Sequence, residues 1–305
     1  MQTQEEQRDA IWGKPAEAGQ EQEQKEKFDP KAFALELRDD IQQNRIKLPT
    51  LPAISLEALV VVNDAGSSMA DVSKIIGKDT SMAARLVRYA NSPLYRGINN
   101  VASVKSAITR IGMEAVKHAI LSLAMRDVFT TGISAIQQRM EALWQHSVAV
   151  ASKSALLAGS FAHLNRDEAM LAGLIHDVGA IPILLKAKDH QFLLDDERKL
   201  DKLVHALHMS VGKFMLSLWN FDPAMVEVAA EHDRLERNSA SAQVDYVDIV
   251  QVANVLCHEA TSGHPLCGID TTTLPAFQRV GPELVESLRS GDVGSAESDI
   301  SLALH

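Results

Sequence analysis

Met170-Leu171-Ala172-Gly173-Leu174-Ile175-His176-Asp177-Val178-Gly179 is the stretch from which the fold can be read. Met170, Gly173, Leu174 and Asp177 fall at i, i+3, i+4 and i+7, the spacing of one helix face. A carboxylate therefore completes an inward stripe, with His176 beside it. Burying a charge without partners is costly, so the stripe demands polar groups from elsewhere in the chain. The same anomaly recurs on either side. His146 lies three residues after Leu143 and four before Val150, His208 four after Val204 and three before Val211, and His232 four after Val228. Taken singly, an inward histidine is usually a hydrogen-bonded core residue. Four helices each turning an imidazole or carboxylate inward form the arrangement by which helical bundles hold metals. Spacing alone leaves open whether the four converge.

Away from this stretch the periodicity stays helical. Asp29-Pro30 pairs an N-cap with proline at the first helical position, and Phe33, Leu37 and Ile41 follow four apart. Leu48-Pro49-Thr50-Leu51-Pro52 breaks that helix, and Ile54 to Asn63 forms the next. Ser68 with Asp71 reads as a capping box. Asp79 or Thr80 caps a segment carrying Met82, Leu86 and Tyr89, and a helix from Ser103 stops at Gly112 and resumes. Longer helices are expected over 137–162, up to His176-Asp177, and over 200–218, 223–232 and 246–260. No stretch alternates with period two, so the expected fold is all-α. Residues 1–27, rich in Gln and acids, read as a disordered tail, 28–131 as a smaller N-terminal helical bundle and 132–267 as the helical core. Residues 268–305 read as a C-terminal extension with a helix over 282–289 and a frayed end.

The chain has 305 residues and a formal net charge of −10, which argues against a surface that grips nucleic acid throughout. Two cysteines, Cys257 and Cys267, are too few to staple a chain this long, the first residues lack a signal-like apolar run, and no apolar stretch reaches a membrane span of about 20 residues. The cytoplasm is the expected compartment, with no membrane insertion. There is no phosphate-cradling glycine loop and no nucleophile elbow.

Leu171 to Gly179, with His146 upstream and His208-Met209-Ser210-Val211-Gly212 downstream, resembles the core of the HD superfamily of metal phosphohydrolases. Further residues narrow the match: Leu48-Pro49-Thr50-Leu51-Pro52; Asp79 with Ala83-Ala84-Arg85-Leu86; Ala90-Asn91-Ser92-Pro93-Leu94-Tyr95; and Ala107 to Gly112. This series, over about residues 35–262, resembles the HDOD family, the HD-related output domain of bacterial signalling proteins. The resemblance implies an HD-like helical core preceded by a helical subdomain, and a metal set matched here by His146, His176 and Asp177. His208 and His232 resemble the additional metal-serving histidines of the HD-GYP branch. Where the catalytic relatives have a late Asp, this chain has Asn254, which removes one negative ligand charge. Ala180 stands where those enzymes place lysine, and no Gly-Tyr-Pro follows His232. The implied function is a signal-transduction output module, non-catalytic and able to hold Fe, Zn, Mn or Ni. The alternative is a metal-dependent phosphohydrolase or phosphodiesterase acting on a nucleotide.

One local feature stands apart. From Ser81 to Lys117 there are six bases, Arg85, Arg88, Arg96, Lys105, Arg110 and Lys117, against Glu114, an excess of five positive charges in an acidic chain. Arg85 and Arg88, one turn apart and near Asn91, are candidates for contact with a signalling protein or a nucleotide ligand, in preference to DNA.

Overall fold

Asp29 accepts a hydrogen bond from the Lys31 amide and opens α1 (Pro30–Gln42), whose Phe33, Leu37 and Ile41 are all buried. The structure, a computed structural model, describes residues 28–304 apart from 44, 47–49, 65, 96, 240 and 291–293. The expected tail, the Leu48-Pro49 step and Arg96 lie outside the described residues. Five helices complete the first half: α2 (Ala53–Asn63), α3 (Met69–Ile76), α4 (Thr80–Ala90), α5 (Val104–Ile111) and α6 (Met113–Val128). Ser68 and Asp71 close the capping box at α3, and Asp79 and Ser103 cap α4 and α5. Gly112, with φ at 88°, takes the left-handed turn that separates α5 from α6.

The second half runs α7 (Ser134–Ala158), α8 (Arg166–Ile175), α9 (Ala180–Ala187), the single turn α10 (Gln191–Leu194), α11 (Glu197–Leu218), α12 (Pro223–Glu231) and α13 (Tyr246–His258). A 3-10 turn at Thr271–Thr273, α14 (Pro275–Val280), α15 (Pro282–Arg289) and α16 (Gly294–Leu304) follow. No strand occurs among the described residues, so the fold is all-α.

Helix α7 lies along α8 and α13, α11 along α12, and α9 along α11. Two glycines permit the closest approaches. A Cβ on Gly173 would stand 2.6 Å from Ala151 Cα, and one on Gly179 would stand 2.0 Å from the His208 carbonyl oxygen. These contacts bring the end of α8 against both α7 and α11. The apolar run Arg166–Ala187 is long enough to cross a membrane by length and composition, which the sequence reading did not anticipate, but 89% of its most apolar window is buried inside the fold. Its composition is that of a central core segment.

Two placements differ from expectation. Helix α1 packs on α9 and α11 of the second half, where Lys186 Nζ lies 2.7 Å from Asp40 Oδ2. The C-terminal end, expected to fray, is helix α16 and packs on α7 and α4. Ile300, Ala303 and Leu304 are buried, and Lys153 Nζ bonds Glu297 at 2.7 Å. The Gly/Ser/Asp content of that segment concealed this short apolar stripe.

Candidate metal centre

His146 projects from the middle of α7, His176 and Asp177 from the end of α8, His208 from α11 and His232 from the end of α12. The four elements converge. His146 Nε2 and His176 Nε2 are 3.2 Å apart, and His208 Nε2 and His232 Nε2 are 3.1 Å apart. Asp177 stands between the pairs. Its Oδ2 is 3.4 Å from His176 and 3.8 Å from His146, and its Oδ1 is 3.2 Å from His232 and 3.5 Å from His208. Two triads, each of two histidines and Asp177, therefore share one carboxylate.

The backbone fixes which nitrogens face inward. His176 Nδ1 lies 2.7 Å from the Gly173 carbonyl, His208 Nδ1 3.0 Å from that of Val204 and His232 Nδ1 3.2 Å from that of Val228. A carbonyl only accepts, so each Nδ1 is the donor. In the neutral ring Nε2 is then a bare acceptor. Two bare Nε2 atoms at 3.1 Å repel unless a cation lies between or beside them. That cation is a proton or a metal ion, and oriented imidazoles joined by a carboxylate suit a divalent transition metal.

Asn254 on α13 reaches the cluster through an acid, Asp233. Asn254 Nδ2 donates to Asp233 Oδ1 at 3.1 Å, and Asp233 Oδ2 is 3.4 Å from His208 Nε2. An acid just past α12 therefore stands beside the asparagine, on the side of His208 and His232. Asn254 Oδ1 is shielded from solvent and has no hydrogen-bond partner among the described residues, as a spare oxygen ligand would be. The imidazoles also continue outward. His258, four residues after Asn254 and so on the same face, lies 4.4 Å ring to ring from His146 and stacks on His264 at 3.5 Å. His205 Nδ1 is 3.8 Å from Asp233 Oδ2. Sequence reasoning missed Asp233, His258, His264 and His205. The i, i+4 step from Asn254 was the available signal for His258, and adjacency to His232 was the one for Asp233.

The acids and imidazoles of the cluster shift one another's titration. Burial opposes the charge on Asp177, but His176, His232 and His208 outweigh it and hold the carboxyl well below the usual range. Burial likewise opposes protonation of His176 and His208, and the neighbouring acids prevail: His176 is raised, and His208 is pushed up to about 9 by Asp233 and Asp177. Asp233 falls to about 2 against its own burial, through its bond to His208. Burial and the adjacent His176 drive His146 down to about 3, and burial with His264 drives His258 down to about 4. The two acids thus favour protons on His176 and His208, and a metal would compete with those protons for the same nitrogens.

The basic residues singled out in the first half do not gather into a site. Arg85 Nη1 donates to the Leu123 carbonyl at 2.8 Å, and Nη2 approaches Asp127 at 3.5 Å. Asn91 donates to the Val101 carbonyl and accepts from the Val101 amide, both at 2.9 Å, and also accepts from Arg110 at 2.9 Å. It clamps the loop between α4 and α5. Arg88 is exposed.

Comparisons with known proteins show the same fold. A solved structure of a candidate metal-dependent phosphohydrolase from Shewanella amazonensis SB2B is 25% identical, with a TM-score of 0.73 over 90% of this chain and 99% of that one. An HDOD domain protein of unknown function from Geobacter sulfurreducens is also 25% identical, with a TM-score of 0.67 over 90% and 97%. A candidate signal transduction protein from Marinobacter aquaeolei VT8, 18% identical, shares the fold with a TM-score of 0.61 over 91% of this chain and 66% of that one. None of the curated proteins matches the chain. The HDOD domain model matches residues 48–235, more than half of the length, and with the helical order and the His/Asp cluster in place the chain belongs to the HDOD family.

Proposed function

We propose that this chain is a signalling module whose core binds divalent transition-metal ions in two subsites joined by Asp177. The observation that carries this reading is the division of the Asp177 carboxylate, one oxygen toward His146 and His176 and the other toward His208 and His232. Asp233 serves the second subsite, and Asn254 Oδ1, buried and without a partner among the described residues, is an available neutral oxygen. Fe, Zn, Mn and Ni all accept imidazole with carboxylate. The proposed working unit is the helical subdomain 28–131 with the HD-like core 132–267, and 268–305 extends it. A signalling protein or a nucleotide ligand is the proposed partner, the cytoplasm the proposed compartment, and Arg88 the exposed base for that contact.

Elemental analysis of freshly purified protein tests the metal. Close to two equivalents of transition metal are expected, with His176→Ala and His208→Ala each losing about half or more. Protein that stays metal-free, and that Mn, Fe, Zn or Ni fails to stabilise against heat, would make the histidines a packed polar network.

A second reading, metal-dependent phosphodiester hydrolysis, is favoured by Asp233, which restores the anionic charge that Asn254 lacks. A bound metal pair would supply Lewis acidity toward a phosphoryl oxygen. The chain's own residues would hold that pair and, through His258, wall one side of it. Ala180 in place of a lysine weighs against this reading. With metal loaded, hydrolysis of bis(4-nitrophenyl) phosphate that Asp177→Ala abolishes would establish the enzyme. Absence of turnover in the loaded protein would leave the module.

A further inference from the structure

A cavity of about 800 Å3 opens between the two halves of the chain, lined by none of the His/Asp residues described above. Its floor is Leu121, Leu171 and Met225, all buried, with His118 and Glu168 as the polar groups. One wall is α2, whose Ala53-Ile54-Ser55-Leu56-Glu57-Ala58-Leu59-Val60-Val61-Val62 is apolar on nearly every side. A helix of that kind is normally enclosed, yet of α2 only Ser55 and Ala58 are buried, and Leu56 and Val60 are 49% and 73% exposed. The opposite wall is the corner after α11. There Asn220 takes a left-handed conformation with φ at 56°, and the Phe221 amide donates back to the Leu216 carbonyl at 3.0 Å. That turn sets Trp219 and Phe221 in the same wall, rings 6.3 Å apart.

The charge of the lining is one-sided. Asp64, Glu114, Glu168 and Asp222 are there, and Lys117 is the lone ammonium among the lining residues. Burial pushes the His118 pKa down, so that ring adds no compensating charge. On the floor Glu168 accepts the Tyr246 hydroxyl at 2.5 Å through Oε2, and its Oε1 stands 3.6 Å from His118 Nε2. His118 Nδ1 has no hydrogen-bond partner among the described residues. A ligand anion would face a net excess of carboxylates. A cation with an apolar body would meet carboxylates, aliphatic side chains and two aromatic rings, the combination that recognises organic ammonium groups.

We propose that this cavity is a second ligand site of the protein, for a small organic cation of the alkylammonium class. The ammonium group lies over Glu168 and beside Trp219 and Phe221, and the apolar body lies along α2. The occupant touches two helices that also reach the His/Asp centre. Helix α8 carries Glu168 and Leu171 into the cavity and ends at His176, and the α12 segment runs from Asp222 and Met225 to His232 and Asp233. The inference stands independently of whether the centre holds metal.

Calorimetric titration of the full chain with octyltrimethylammonium, set against octyl sulfate, tests the site. One saturable site per chain is expected for the cation, with the sulfate at least about tenfold weaker. Leu56→Lys and Glu114→Lys alter exposed positions and should weaken the cation severalfold without moving the unfolding temperature. Glu168→Gln keeps an acceptor for Tyr246 and should cost about tenfold. Equal binding of octyl sulfate, cation binding indifferent to all three substitutions, or no saturable binding would each overturn the proposal.

Discussion

His208 and His232 present two ring nitrogens to each other at 3.1 Å, and what lies between them sets the pH behaviour of the whole cluster. The His208 pKa stands at about 9 in the fold against 6.5 for a free imidazole, because Asp233 and Asp177 outweigh its burial. In metal-free protein this proton contributes stability that is full below pH 6.5 and lost as pH rises through about 9. A metal needs the same nitrogen bare, so its contribution runs the other way. The unfolding temperature of metal-free protein should therefore fall between pH 6.5 and 9, while the gain on adding Mn grows across that window. A gain that stays level with pH would remove His208 from the ligand set. At this scale Asp177 and His176 were legible because a helical stripe ended in charge. Asp233 was not singled out, although it directly follows His232 and, like Asp177, stands two residues past the end of its helix.

Among the helices, the decisive contacts are backbone to backbone. Gly179 sits between α8 and α9, where any Cβ would meet the His208 carbonyl oxygen at 2.0 Å and the Gly212 amide nitrogen at 2.4 Å. Neither atom can move without shifting α11, so Gly179→Ala should destabilise the protein by about 3 kcal/mol and displace His208 from Asp177. Denaturant unfolding checks the first effect and metal content the second. A variant with unchanged stability and full metal would show that α11 can slide freely over α9. The glycine of the His-Asp-Val-Gly run was visible in the sequence, but which helix crosses it was not. Helix α16 makes the same point in reverse, since Ile300, Ala303 and Leu304 look sparse in sequence and become buried only because α7 and α4 supply the opposing surface.

A buried polar link joins the two halves of the molecule. Tyr89 of α4, fully buried, donates to Asp167 Oδ1 of α8 at 2.7 Å, and Tyr95 of the Asn-Ser-x-x-Tyr segment packs 5.6 Å from the Tyr89 ring. Within the second half, Asp248 on α13 is also buried and is held by Arg279 of α14, Nε to Oδ2 at 2.8 Å, with Arg237 nearby at 3.5 Å. Tyr89→Phe leaves the Asp167 carboxylate short of a donor and should cost about 1–3 kcal/mol, read as a lower midpoint in one cooperative thermal transition. An unchanged midpoint would mean that the Tyr89 hydroxyl contributes nothing to holding the halves together. The family motif around Asn91 thus has a structural meaning: it closes a loop and presents Tyr89 and Tyr95 to the core.

Helix positions, caps, the all-α class and the inward setting of His146, His176, Asp177, His208 and His232 follow from the sequence itself, because each depends on neighbours within about two turns of chain. That these groups meet, that Asp233 takes the anionic place beside Asn254, that α1 lies on α9 and α11, and that a cavity with an acidic lining opens against α2 were decided by tertiary packing. Those outcomes depend on which surfaces come together across separations from 21 residues, between Asp233 and Asn254, to 146, between Asp40 and Lys186, and local periodicity carries no record of that choice.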